Sequence, residues 1–79
     1  MKWTVRITGW NAGFLAVSAI QAIRRSTGIG LADAKRRTER VMDGAVVEFD
    51  FVDRRAADVL ARELTSLRAI ASVVERPDR

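Results

Sequence analysis

The 79-residue chain contains no cysteine, no histidine and no tyrosine. Without cysteine there is no disulfide framework and no thiolate metal site. Without histidine the side chain that titrates nearest neutrality, which is also the commonest metal ligand, is missing. Ser–His and Cys–His nucleophile pairs are therefore excluded. The aromatic residues are five, Trp3, Trp10, Phe14, Phe49 and Phe51. Most fall at core-like positions, which leaves a base-stacking platform poorly supplied. No apolar stretch approaches the roughly 20 residues that a membrane span needs. The start, Met1–Arg6, lacks the charged region and long apolar run of a signal peptide. These absences lead to the expectation of a soluble, cytoplasmic, non-enzymatic protein without cofactor or metal.

What is present suits one globular domain, residues 1–79. An apolar share of 48% with 30% charged residues is normal for a folded domain and wrong for a disordered one. No linker, repeat or low-complexity segment interrupts it. The net charge is +4, and twelve of the fourteen basic residues are arginine. Its placement is uneven. Between positions 24 and 40 stand six basic residues (Arg24, Arg25, Lys35, Arg36, Arg37 and Arg40) against two acids, Asp33 and Glu39. The remainder holds eight basic and eight acidic residues, so one segment carries the whole net charge. Such a patch either steers an acidic partner or forms a solvated helix face.

Apolar periodicity divides the chain into six elements. Trp3, Val5 and Ile7 alternate with Lys2, Thr4, Arg6 and Thr8, which predicts a half-buried strand over 2–8. Gly9-Trp10-Asn11-Ala12-Gly13 then breaks it. From Phe14 the period changes to about three, through Val17, Ile20 and Ile23, predicting a helix that ends near Thr27. Its apolar arc is too broad to be wholly buried. Gly28 follows as the residue after the helix. Leu31 to about Met42 reads as a second helix with a narrow stripe of Leu31, Ala34, Thr38, Val41 and Met42. Ala45 to Phe51 alternates as a second strand, with Ala45, Val47, Phe49 and Phe51 inward and Val46, Glu48 and Asp50 outward. Asp53 is placed to cap a third helix running to about Leu67, with Ala56/Ala57, Leu60, Leu64 and Leu67 inward. Residues 70–75 give the last strand, and 76–79 read as a tail. The order β-α-α-β-α-β implies a two-layer α+β domain, a three-stranded, mostly antiparallel sheet covered by three helices.

The unit helix–Gly28-Ile29-Gly30–helix admits three readings. It is a plain αα-hairpin whose glycines let the helices approach, a helix-turn-helix, or a protein-docking surface. In the second reading Lys35, Arg36, Arg37 and Arg40 lie on phosphates. The second helix has no Asn or Gln for base edges, which counts against it. The glycines follow a helix rather than a strand and no Gly-Lys-Ser/Thr follows them, so this is no phosphate loop. Trp3 is expected in the core. Trp10 either caps the core edge or anchors a contact. Glu48, Asp50 and Asp53 could look like a metal or acid/base cluster, but only Glu48 and Asp50 share the outer strand face, and two acids without a third ligand or a cleft signal read as a solvated sheet face.

The run Val17-Ser-Ala-Ile-Gln-Ala-Ile-Arg-Arg-Ser-Thr-Gly-Ile-Gly-Leu-Ala-Asp-Ala-Lys35 resembles the C-terminal domain of the bacterial ribosomal stalk protein (the L-seven/L-twelve protein). The likeness is sharpest at Ile23-Arg24, at Thr27-Gly28-Ile29-Gly30-Leu31 and at Asp33-Ala34-Lys35. It continues in the third helix, Ala57 to Leu64, so it covers nearly the whole chain. The resemblance implies a β-α-α-β-α-β fold and a two-helix surface that recruits translational GTPases. The corresponding positions are Val17, Ile20, Gln21, Arg24, Gly30, Leu31, Asp33 and Lys35. The pattern departs from the family where Ala16 and Gln21 replace lysines and where Arg68 replaces a glycine. The family's N-terminal dimerisation domain and hinge have no counterpart in this sequence, and the expectation is a stand-alone relative. The ClpS adaptor shares the fold class, but its Asn-Asp-Asp run is here Thr8-Gly9-Trp10-Asn11. The expected partner is a protein with an acidic docking surface, first of all a translational GTPase or another ribosome-associated factor. Nucleic acid bound by the Arg-rich second helix is the less favoured partner, and a docking domain for an enzyme of an unrelated pathway stays open.

Overall fold

A computed structural model describes residues 1–77. Six elements follow in the expected order: β1 (Lys2–Trp10), α1 (Ala16–Thr27), α2 (Leu31–Met42), β2 (Val47–Phe51), α3 (Arg54–Ser66) and β3 (Ala69–Arg76). The strands form one open sheet in the order β2-β1-β3, antiparallel throughout. The α+β architecture read from the sequence is thus present. The helices lie on one side: α2 and α3 pack on the strands, and α1 packs chiefly against α2 and α3.

The core lies between the layers. The sheet contributes Val5, Ile7, Val47 and Phe49; the helices contribute Ile23, Val41, Leu60 and Leu64. Between these sit the buried alanines Ala19, Ala22, Ala34, Ala57 and Ala61. Alanine costs no side-chain entropy in a helix. Small side chains at helix contacts also shorten the distance between axes. The helical layer is therefore close-packed through methyl groups, while the bulk comes from the sheet below.

Three sequence expectations change. First, β1 runs on to Trp10 instead of stopping at Thr8, because an irregularity between Ile7 and Gly9 lets Gly9 and Trp10 pair with Ile70 and Ala69. An extra residue in one strand bends it without ending the ladder. Second, Thr4 was expected on the wet face, yet it is fully buried. It lies in the central strand between Asp50 and Val74. Its hydroxyl donates to Asp50 Oδ1 at 2.6 Å, which satisfies the buried oxygen. Third, Arg76 belongs to β3 rather than to a tail, paired with Lys2 and donating from Nη2 to Glu48 Oε2 at 2.7 Å. Of that expected tail, Asp78 and Arg79 lie outside the described residues. The smaller shifts are at ends: α1 begins at Ala16, leaving Phe14 in the preceding loop, and β2 begins at Val47.

Two tryptophans and two arginines trim the rims. Trp3 is half-buried with the Arg54 guanidinium 5.0 Å from its ring centroid, and Arg37 stands 5.2 Å from the Phe49 ring. Cation–π contacts at such partly exposed sites contribute about 0.5–1 kcal/mol. Trp10 donates from Nε1 to the Met42 carbonyl at 3.2 Å, and its ring lies 6.2 Å from that of Phe14. The Met42 carbonyl is at the end of α2, where intrahelical partners run out. Trp10 thus ties the end of β1 to the end of α2 while remaining 42% exposed.

The turn after α3 is fixed by an unusual backbone. Arg68 has φ 75, the one non-glycine residue with positive φ among those described. Its N–H bonds to the Thr65 carbonyl and its own carbonyl accepts from Asn11, at 3.0 and 2.8 Å. Leu15 N donates to the Leu67 carbonyl beside it. The α3–β3 turn and the β1–α1 loop therefore lock each other. A left-handed backbone costs a residue with Cβ about 1–2 kcal/mol. Glycine removes that cost but returns about 0.5–1 kcal/mol of freedom to the unfolded chain. Arg68→Gly is expected to raise the melting temperature by roughly 3 °C, and Arg68→Val, β-branched at positive φ, to lower it by at least about 4 °C. Calorimetry of the two variants checks this; the reverse order would show that the arginine side chain outweighs the backbone.

Candidate functional site

The residues singled out by the sequence fall on α1, α2 and the turn joining them. On α1 the buried side is Ala19, Ala22 and Ile23. At 100° per residue the opposite side carries Val17, Gln21 and Arg24, one turn apart in succession. Val17 is 71% exposed, and Gln21 and Arg24 are exposed beside it. Ile20 lies between the two sides, half-buried against the core. Thus the apolar period of three marked the outer edge of α1, while the inner face is built from alanine and Ile23.

On α2 the inner face is Ala34, Thr38 and Val41. Thr38 turns its hydroxyl back to the Ala34 carbonyl at 2.9 Å, so its burial leaves no polar atom unmet. Leu31 and Met42, expected in the packed stripe, are instead exposed, Leu31 at 55%. Leu31 precedes the first inward turn and has no facing element to fill. Lys35 stands one turn beyond Leu31 on the same side and is exposed. Asp33 accepts from Arg37 Nε at 3.1 Å across another i,i+4 step. This pair holds Arg37 over Phe49 and half-buries it. Arg37 is thereby drawn out of the trio Arg36, Arg37 and Arg40 first read as free cations, whereas Arg36 and Arg40 remain exposed and without an acidic partner among the described residues.

The joining turn explains half of its own sequence. Thr27 Oγ1 donates to the Ile23 carbonyl at 2.7 Å and accepts from Ile29 N at 3.3 Å. Gly28 takes φ 77 and bonds its N–H to the Arg24 carbonyl. Ile29 then turns in against the core. Gly30, in contrast, has an ordinary φ of −71 and caps α2 without any side-chain bond. A Cβ at Gly28 or Gly30 would meet nothing within 4 Å. The glycines are therefore not there to let the helices approach, as the hairpin reading supposed. Gly28 serves backbone conformation; Gly30 serves neither conformation nor packing.

Gln21, Arg24, Arg25, Gly28 and Ile29 together line an open hollow of about 380 Å³ at the end of α1. Arg25 is tied to Glu63 of α3 at 2.6 Å, but Arg24 and Lys35 have no acidic partner among the described residues. Leu31, Asp33 and Lys35 lie outside this hollow, so the expected site residues form a surface on either side of the turn rather than one pocket. A second hollow on α3, lined by Arg54, Arg55, Asp58, Val59 and Arg62, was not expected from the sequence. The signal was the 55–59–62 spacing, which places these three side chains on one outer face. The acids on the sheet form no metal site. Glu48 pairs with Arg6 and Arg76, Asp50 with Thr4, and Asp53 caps α3 by accepting from Arg55 N at 3.0 Å. No group of acidic residues among those described is arranged to hold a metal ion. No helix among them is long and apolar enough to cross a membrane.

Comparison with protein-family models, with curated proteins and with solved structures found no match.

The two glycines of the turn give a direct check. Gly28→Ala is expected to cost about 1 kcal/mol, since Cβ crowds a left-handed backbone. Gly30→Ser is expected to gain about 0.5 kcal/mol by supplying the missing helix cap. Urea unfolding of both variants measures the difference; equal effects would mean that the turn is not set as described.

Proposed function

We propose that this domain is a non-enzymatic protein-docking module that engages a translational GTPase or another ribosome-associated factor through α1 and α2. The carrying observation is the pairing of apolar exposure with free charge. Val17 and Leu31 stand in solvent at 71% and 55%, next to Arg24 and Lys35, which have no acidic partner among the described residues. Isolated exposed apolar residues are ordinary. Here Val17 stands in the first turn of α1, the exposed stripe Val17–Gln21–Arg24 runs from it toward the turn, and Leu31 opens α2 just beyond. Gly30 adds to the reading, because it bares backbone where the fold itself would take serine. The stalk-domain resemblance supports the class of partner, since it falls on this same surface.

In this mechanism Val17, Ile20 and Leu31 supply the apolar contact. Arg24 and Lys35 meet acidic side chains of the partner, Gly30 allows close approach, and Gln21 offers an amide at the rim of the hollow. Asp33 acts indirectly, by holding Arg37 away from the surface. Charge pairs of this kind govern association rate and salt dependence more than affinity.

Titration of the domain with a purified bacterial elongation-factor GTPase, followed by amide chemical shifts, tests the proposal. Shifts are expected on α1, the turn and the start of α2. Val17→Asp and Leu31→Asp should each weaken binding at least about tenfold, the size of a lost anchor contact. Arg24→Glu with Lys35→Glu should slow association and flatten its salt dependence. Arg36→Ala with Arg40→Ala should leave binding unchanged. Absence of shifts on α1 and α2, or binding indifferent to Leu31→Asp, would sink the reading.

A further inference from the structure

The fold sorts charge by layer. The three helices hold nine basic residues, eight of them arginine, against four acidic ones, whereas the three strands hold three of each. Three of the four helix acids are already engaged within the domain: Asp33 by Arg37, Asp58 by Arg54 and Glu63 by Arg25. Left without an ion-pair partner among the described residues are six helix cations and one helix acid, Glu39 of α2, so the uncompensated charge of the layer is net cationic. It is also shaped. A hollow with arginines in its wall lies on each helix: one at the end of α1, one on α3, and one of about 250 Å³ beside α2, where Arg36, Arg37 and Arg40 stand with Asp33 and with Glu48 at the start of β2, these two acids being already paired with Arg37 and with Arg6 and Arg76. Arg36 and Arg40 are one turn apart on α2; Arg55 and Arg62 share the outer face of α3. All four are exposed and have no acidic partner among the described residues.

We infer that the helical layer binds the phosphate backbone of a nucleic-acid duplex, without reading its sequence, through Arg36 and Arg40 on one flank and Arg55 and Arg62 on the other. A single small anion would need one hollow, whereas these are distributed over separate helices. A duplex offers phosphates at regular short intervals. The domain is 34 Å in its longest dimension, about one duplex turn. Arginine is the residue suited to such contacts, because its planar fork meets two phosphate oxygens at once. The helices lack what other modes need. Gln21 is their only amide side chain, so base edges have almost no reader. They carry no aromatic residue, so single-stranded bases have nothing to stack on. The four arginines are separate from Val17, Leu31 and Gly30, and this inference stands or falls apart from the docking reading.

Fluorescence anisotropy with labelled DNA and RNA duplexes about two turns long tests it, at salt between about 50 and 200 mM. Binding should weaken with salt at a log–log slope of about −0.9 per phosphate neutralised, hence about −3.6 for the four arginines. Arg36→Ala with Arg40→Ala, and separately Arg55→Ala with Arg62→Ala, should each weaken binding about tenfold at the higher salt and flatten the slope by about 1.8. The Arg→Lys counterparts should restore most of the slope, and all variants should keep the wild-type melting temperature because these side chains bond nothing. Preference for one duplex over the other would identify the ligand. No binding at the lower salt overturns the inference, as does tighter binding of a single strand. Displacement by polyglutamate at equal charge overturns it in favour of an acidic protein, and indifference to both double variants shows that the helical layer is not the contact.

Discussion

Close packing of the helical layer through alanine is the constraint on which the rest of this structure depends. Ala19, Ala22, Ala34 and Ala57 are wholly buried, and Ala61 nearly so, all at helix positions that face inward. With methyl groups at the contacts, the helices stand close and leave no room for larger side chains between them. The bulk of the core must then come from Val5, Ile7 and Phe49 below and from Ile23, Leu60 and Leu64 at the junction of the layers. Large apolar residues elsewhere on the helices are displaced outward. Val17, Leu31 and Val59 stand on helix sides that face away from this packing and are exposed.

Alanine is also why the sequence is most legible in its strands and least so in its helix faces. Strict alternation in Lys2–Thr8 and Ala45–Phe51 reports its inward side directly, because a half-buried strand has only two choices. The cap at Asp53, the ends of α2 and the order of the elements were readable from local chemistry as well, whereas the strand order β2-β1-β3 was not. On α1, however, Phe14, Val17, Ile20 and Ile23 form the more apolar period by size, while the true inner face is Ala19, Ala22 and Ile23. Alanine is weakly hydrophobic and common on both sides of helices, so its burial is decided by neighbours far away in sequence. The same holds for Thr4. Its type and position in the pattern say solvent, and it does lie on the outer sheet face beside Asp50, but its place in the central strand between β2 and β3 leaves it covered. Of the site, the exposed residues on α1 and Gly30 were legible as types in sequence order. That Asp33 restrains Arg37, and that α3 carries a cationic hollow, depended on side-chain geometry.

The electrostatic division follows from pairings that are individually weak. Exposed ion pairs such as Arg25–Glu63, Arg37–Asp33 and Arg54–Asp58 contribute at most about 1 kcal/mol each to stability. Their larger effect is on what remains. Each removes an acid from the helical surface along with one arginine, so six cations are left against one unpaired acid, Glu39, among the described residues. Arg24, Lys35, Arg36, Arg40, Arg55 and Arg62 keep their potential for a partner outside the chain. The sheet is balanced instead by Glu48, which receives both Arg6 and Arg76 across three strands. The domain therefore presents a neutral face and a positive one.

The turn between α1 and α2 separates what the fold requires from what it merely permits. Thr27, Gly28 and Ile29 are each accounted for locally: a hydroxyl bridging Ile23 and Ile29, a left-handed backbone, and an inward apolar anchor. Any chain making this helix-to-helix turn would have reason to use them, so their presence alone says little about binding. Gly30 and Leu31 have no such reason. An ordinary backbone angle and open space make glycine needless at 30, and a solvent-facing leucine contributes little to the core. The stalk-like pattern thus divides into a structural half and a half that the fold leaves unexplained. It is this second half that the docking proposal draws on, since the first half is explained by the turn itself.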